Sequence, residues 1–318
     1  MDKSILDPEI ATFVDRMSAA WAAHPPFMGL PVAEARQIAE RVRAPLREGG
    51  PAMARTQEVL VPTSTGALRI RVYDPGLRRP APALIYLHGG GFVLFSIDTH
   101  DRLMREYAAA GDFVVIGVDY PLSPEARYPG ALDQIVELVD WLLAEGEATI
   151  GIDPARIAIG GDSAGGNLSL ATALRLRERG TSDLLRGLLI NYGGFGPDCS
   201  DEDERRLGGE GAVLDRAEME YYFSSYLGSD PAARDDPYAV PLKASLEGLP
   251  PTLLAIPECD ILAEQSYVMA RRMRGAGVAV TSIVYDGATH SFLEAMESAA
   301  VARRAIADGA AWVKAILG

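Results

Sequence analysis

Cysteine is scarce. Only Cys199 and Cys259 occur in 318 residues, and neither lies in a CxxC pair or a Cys/His cluster. A disulfide framework and a zinc site of the usual spacing are thereby excluded as organising features, and a reducing compartment is expected. An excess of positive charge is missing as well. Thirty Lys and Arg stand against 44 Asp and Glu, for a net charge of −14. Such a chain has no basic footprint with which to displace counterions from nucleic acid, and anionic membranes repel it. Neither nucleic acid nor membrane is an expected partner. No stretch approaches the ~18 consecutive apolar residues of a membrane span. The opening MDKSILDPEIATFVDRM carries acids where a secretory signal needs a basic start and an apolar run, so a cytoplasmic protein is expected. Internal repeats and low-complexity tracts are also lacking.

What is present is an ordinary globular composition, 48% hydrophobic and 23% charged, long enough to bury a large core without staples. Residues 1–50 are rich in Ala, Arg and Glu and contain no strand pattern. Val32, Ala35, Ile38, Ala39, Val42 and Leu46 recur at helical spacing, and Pro25, Pro26 and Pro31 separate this helix from an earlier one. These residues are expected to form a helical cap segment on a catalytic domain spanning 51–318.

From Glu58 onward the pattern changes. Val59–Pro62 and Leu68–Tyr73 flank Ser64-Thr65-Gly66, a hairpin signature. Short apolar runs then alternate with longer amphipathic segments. Strands are expected at Ala83–Leu87, Phe113–Val118, Ile157–Ile159, Leu188–Tyr192, Leu253–Ile256 and Val280–Tyr285. Helices are expected at Asp101–Ala110, Ala131–Glu145, Leu168–Arg179, Ala263–Gly275 and Ala299–Leu317. This order predicts an α/β fold with a mostly parallel sheet covered by helices on both faces. Residues 196–241 interrupt the alternation with an acidic run, glycines and the aromatic group Tyr221, Tyr222, Phe223 and Tyr226. They read as a second cap insertion, its aromatics mainly packing residues.

Gly160-Gly161-Asp162-Ser163-Ala164-Gly165-Gly166 carries the strongest chemical signal. Gly161-x-Ser163-x-Gly165 follows an apolar strand and precedes a helix expected from Asn167, the context of a nucleophile elbow. A serine on so sharp a turn needs neighbours without side chains. A phosphate-binding loop is disfavoured, because no GK[ST] is present. Upstream, His88-Gly89-Gly90-Gly91-Phe92 follows another strand. A loop free of Cβ atoms lets backbone amides approach a developing oxyanion. A serine hydroxyl needs a base near neutral pH. Of the four histidines, His24 lies in the cap segment, His88 in the glycine loop and His100 at the start of a helix. His290 follows the last strand, where the order Ser…Asp/Glu…His puts the base. The acid should follow the preceding strand. Asp260 is the choice there, with Glu258, Glu264 and Asp286 as competitors. Asp162 and Glu125 read as structural hydrogen-bond partners.

Taken together, HGGGF at 88–92, GDSAGG at 161–166, Asp260 and His290 resemble the bacterial hormone-sensitive-lipase-like esterases. The resemblance runs from about Val59 to the C-terminus and includes Asp119-Tyr120-Pro121-Leu122-Ser123-Pro124-Glu125, similar to the family's DYRLAPE. It implies an α/β-hydrolase fold with a helical cap, and a serine carboxylesterase acting on short- to medium-chain esters. It also implies an oxyanion hole from the amides of Gly90, Gly91 and Ala164, with Gly89 supporting the loop, and no metal or cofactor. A small-molecule ester is the expected partner, with a homodimer possible. Departures are Pro121 and Ser123 for Arg and Ala, Glu264 without the usual second Asp after Asp260, Ser291 where glycine is common, and Tyr192-Gly193-Gly194-Phe195 in place of Tyr-Pro. The same triad serves amide, carbamate or lactone cleavage, and a binding protein without catalysis is a third reading. Ser163 at the elbow argues against a dehalogenase or epoxide hydrolase, which need Asp there.

Overall fold

Residues 3–209 and 211–318 are described by a computed structural model of the chain. Two helices precede any strand. In α1 (Pro8–Ala22), the Asp7 carboxylate accepts the N–H groups of Glu9 and Ile10, and Pro8 occupies the first turn, where a missing N–H costs nothing. Helix α2 (Val32–Arg43) starts after Pro31 and buries Ala35, Ile38, Ala39 and Val42, the apolar face expected from the spacing, together with Arg43. Arg36 on its flank ties the helix down. Its guanidinium donates to both Glu125 oxygens at 2.9 and 2.7 Å, to Ser123 O at 2.8 Å and to Val93 O at 2.8 Å.

The hairpin forms as expected, from β1 (Arg55–Thr63) and β2 (Gly66–Asp74), with Thr63 opposite Gly66. There follow β3 (Ala81–Leu87), α3 (Asp101–Gly111), β4 (Val114–Asp119), α4 (Gly130–Ile150), β5 (Ile152–Asp162), α5 (Ala164–Glu178) and β6 (Leu188–Asn191). Two helices of the 196–241 stretch, α6 (Asp201–Leu207) and α7 (Arg216–Leu227), separate β6 from β7 (Thr252–Pro257). The chain ends with α8 (Ala263–Gly275), β8 (Val280–Tyr285) and α9 (Ala300–Leu317).

The eight strands form one sheet in the order β1-β2-β4-β3-β5-β6-β7-β8. Pairings within the β1-β2-β4 edge are antiparallel, and all the others are parallel. Successive side chains of β3 serve opposite faces, as the pleat requires. Ile85 and Leu87 join the core shared with α4, α5 and α8, whereas Leu84 and Tyr86 join the core shared with α3 and α9. The buried strands carry almost continuous apolar runs, as a sheet covered on both faces demands.

Several elements run longer than expected, β1 from Arg55 and α4 on to Ile150 among them, and two of these extensions bear on the site. Strand β5 begins at Ile152 rather than Ile157, because Ile152 already pairs with Ala81, and the register then shifts across Asp153 to Arg156 before Ile157 pairs with Ala83. Helix α5 begins at Ala164 rather than Asn167, so Gly165 and Gly166 lie inside its first turn. The sheet thus delivers the ends of β3, β5, β7 and β8 to one rim.

Candidate active site

Ser163 stands between β5 and α5 with φ 54° and ψ −116°, a conformation side-chain-bearing residues rarely adopt. The surroundings fix it there. Its N–H donates to Asn191 O at 2.9 Å, and its carbonyl accepts from Asn167 and Gly194, both at 3.2 Å. The glycines around it are steric requirements. A Cβ on Gly161 would lie 2.2 Å from Leu87 O, and one on Gly165 would lie 1.9 Å from the same oxygen. The helix is therefore pressed against the end of β3, with backbone meeting backbone. Gly165→Ala is expected to destabilise the fold by about 1–3 kcal/mol or more, since a main-chain carbonyl cannot swing away. Gly275→Ala, with nothing within 4 Å, is the control and should be neutral or slightly stabilising. Thermal denaturation of the two variants checks this, and equal midpoints would refute it.

His290 and Asp260 meet Ser163 at the rim. His290 Nε2 lies 2.9 Å from Ser163 Oγ, and its Nδ1 lies 2.8 Å from Asp260 Oδ2. The second oxygen of Asp260 accepts the Leu262 N–H at 2.9 Å. Asp260 is buried, so both its oxygens are committed. The competing acids are elsewhere. Glu258, Glu264 and Asp286 are exposed; Glu258 accepts the Gly287 N–H, and Glu264 pairs with Arg271. Ser291 has φ 59°, the left-handed conformation that glycine adopts most easily. The Tyr192 ring meets the His290 imidazole edge-on at 5.0 Å and holds its plane.

Facing the serine is the glycine loop. Among the described residues, the amides of Gly90 and Gly91 donate to no protein group, and the Ala164 N–H, first in α5, lies outside the helix ladder. All three residues line the cavity that holds Ser163. Gly90 has φ 118°, and a Cβ there would strike Leu94 O at 2.2 Å. Gly89 is just as confined, since its Cβ would lie 2.3 Å from Asp162 Oδ2. His88 stacks on Tyr120 at 4.3 Å, and its carbonyl accepts the Tyr120 hydroxyl at 2.7 Å. Burial and the neighbouring His100 pull the His88 imidazole down to about 4, so it is a neutral buttress near pH 7.

Behind the loop lies a buried polar group of which the sequence marked only Asp162, as a structural hydrogen-bond partner. Asp162 accepts the Tyr86 hydroxyl at 3.0 Å and lies 3.4 Å from His100 Nε2. Burial alone would raise its proton affinity, but His100, His88 and Tyr86 hold it below the usual carboxylate range. His100 Nε2 also lies 3.4 Å from Glu294, which pairs with Arg43 of α2. Arg43 stacks over Phe95 at 4.3 Å, and burial lowers its guanidinium to about 10. An ion pair thus links the N-terminal helices to the turn that carries His290. No spacing signal joins residues so far apart in the chain.

The cavity has a volume of about 570 Å³. Its walls come from α1 (Phe13, Met17, Trp21), the glycine loop, and the 196–241 insertion (Met219, Tyr222, Phe223). The insertion's aromatics divide their work. Tyr226 stacks on Phe92 at 3.9 Å within the core, whereas Tyr222 presses on Gly91, where a Cβ would fall 2.2 Å from the ring. Among the described residues, no helix is long and apolar enough to cross a membrane, and no group of His, Cys, Asp and Glu is arranged to hold a metal.

The family model of the alpha/beta hydrolase fold matches residues 84–294. Among solved structures, a hyperthermophilic esterase from the archaeon Pyrobaculum calidifontis is 30% identical, with a TM-score of 0.91 and 98% of each chain covered. A thermophilic and thermostable carboxylesterase cloned from a metagenomic library is 31% identical, with a TM-score of 0.87 over 91% of this chain and 99% of that one. A thermostable esterase from Pseudomonas putida is 27% identical, with a TM-score of 0.90 and 98% of each chain covered.

Proposed function

The chain belongs to the alpha/beta hydrolase fold family, and from that premise we propose that it is a serine carboxylesterase working through Ser163, His290 and Asp260. The observation that carries the assignment is the unbroken hydrogen-bonded line from Asp260 through His290 to Ser163 Oγ, beside unpaired glycine amides. His290 Nε2 takes the hydroxyl proton as Ser163 Oγ attacks the ester carbonyl. The amides of Gly90, Gly91 and Ala164 receive the oxyanion. His290 then gives that proton to the departing alcohol, which leaves an acyl-serine. Water, deprotonated by the same nitrogen, attacks the acyl group and releases the acid and free Ser163. Asp260 keeps the Nδ1 proton facing itself throughout, so Nε2 remains free to accept.

Residues 1–50 and 196–241 act as the cap. Support comes from side chains of both segments, Phe13, Trp21, Met219 and Tyr222 among them, which line the cavity that holds Ser163. Its volume lies within the range of about 300–1,000 Å³ common for small-molecule sites, which suits short- to medium-chain esters. The outer edges of β1 and β8, which pair with no further strand among the described residues, support a homodimer, and two free cysteines support a cytoplasmic setting.

Turnover of a series of 4-nitrophenyl esters of increasing acyl length, beside the matched anilide, tests this reading. We expect kcat/KM to be highest for short to medium chains, to fall for palmitate, and to be far lower for the anilide. A faster anilide, or no ester turnover at any length, would overturn it.

A further inference from the structure

The wall around Ser163 is mostly apolar, so its charged members stand out. Outside the triad the lining holds two cations, Lys3 and Arg43, and three carboxylates, Asp162, Glu218 and Glu294. Lys3 pairs with Asp15, Arg43 with Glu294, and Asp162 faces His100. Glu218 has no cationic partner among the described residues. Its Oε2 accepts the Asp215 N–H at 3.1 Å and closes the capping box of α7, and no donor among the described residues reaches its Oε1. Capping accounts for one oxygen, the other has no hydrogen-bond partner among the described residues, and Glu218 lines the cavity.

Position gives that oxygen a use. Glu218 lies near enough to His290 for a charge on the imidazole to favour the carboxylate. His290 is also the group that hands its proton to the leaving alcohol, so the alcohol half of an ester passes this wall. One helical turn further along α7 is Tyr222, and Phe27 lies parallel to it with ring centroids 6.0 Å apart. A carboxylate beside aromatic faces is the combination that holds an organic cation. The net charge of −14 draws cations toward the protein.

We infer that Glu218 determines specificity, selecting esters whose alcohol portion carries a quaternary or protonated nitrogen. The inference rests on the esterase reading above. Burial, and then the Asp215 carboxylate, push the Glu218 carboxyl up to about 7. An arriving cation therefore meets a group that ionises readily near neutrality, while an apolar alcohol meets one that can stay protonated. The site tolerates both and prefers the first.

The probes are choline butyrate and its uncharged isostere, 3,3-dimethylbutyl butyrate. Their kcat/KM values are compared in the wild type and in Glu218→Gln. Their affinities are compared by calorimetry in Ser163→Ala, with and without Glu218→Gln. Glutamine keeps the capping bond to Asp215, so the fold should be retained. The wild type should favour the cation, and Glu218→Gln should reduce the cation-to-neutral ratio about tenfold, the size expected for one partly screened charge pair. An unchanged ratio overturns the proposal. So does equal loss of both ligands with a lowered Tm, which marks capping alone, and so does failure of Ser163→Ala to bind choline butyrate up to its solubility limit. A preference seen in binding, with no hydrolysis of any ester by the wild type, would sustain the assignment of Glu218 and overturn the esterase reading instead.

Discussion

Ser163→Ala is expected to lower kcat on a short-chain aryl ester by about 10⁴–10⁶, while the melting temperature stays close to that of the wild type. The two halves of this expectation have separate causes. Catalysis fails because Oγ is the atom that forms the acyl bond, and among the described residues no other hydroxyl is hydrogen-bonded to His290 Nε2. Stability holds because the strained backbone at φ 54° is enforced by Asn191 O, the Gly194 N–H and the glycine contacts with Leu87, none of which involves the hydroxyl. His290→Ala should cost nearly as much, and the double variant little more than either single one, because the two side chains act as one unit. Steady-state kinetics of the three variants, with a thermal melt of each, measure this. Multiplicative losses would mean that the two residues work independently, and an active Ser163→Ala would remove the mechanism.

Much of this site was legible in the chain because its strain is local. Ser163 can hold its conformation only if residues two places before and after lack a Cβ, and that requirement is written in consecutive letters. The same is true of the glycine loop, where Gly89 and Gly90 each face a fixed atom within 2.3 Å of any Cβ. Parallel strands buried on both faces announce themselves as apolar runs, so β3, β4 and β7 were read nearly to their ends. His290 and Asp260 were located by chain order, and the rim of the sheet brings them together.

The remainder depends on packing between distant segments. Arg43, His100 and Glu294 look like a helix-surface charge, a helix-start residue and an acid in a turn. They become one buried group only after α2 docks through Arg36 on Val93, Ser123 and Glu125. Polar residues obscured the first half of β5, where Ile152 pairs with Ala81 and the register shifts before Ile157, so no alternation marks it. Glu218 was invisible for a related reason. At the third position of α7 it satisfies a sequence-level capping box, and only the fold puts it in the wall of the cavity that holds Ser163.

Asp260→Asn is expected to lower kcat by about 10⁴ with little change in Tm, a loss larger than the modest chemical change suggests. The reason lies in the second oxygen of the carboxylate. Oδ1 accepts the Leu262 N–H at 2.9 Å, and Oδ2 faces His290 Nδ1 at 2.8 Å. An asparagine has one acceptor for these two places. Turned so that its NH₂ meets the Leu262 N–H, it sets two donors face to face in a buried site, with neither satisfied. It therefore settles the other way, with its oxygen on Leu262 and its NH₂ on Nδ1. His290 must then present Nδ1 as an acceptor and carry its proton on Nε2, pointing at Ser163. In that tautomer it cannot take the hydroxyl proton, although every heavy atom keeps its place. Asp260→Ala removes the wrong donor along with the right acceptor and leaves the imidazole free to exchange tautomers, so it should retain at least as much activity as Asp260→Asn. Kinetics of both variants on one aryl ester decide the matter. An asparagine variant within tenfold of the wild type would show that Asp260 does not set the tautomer of His290.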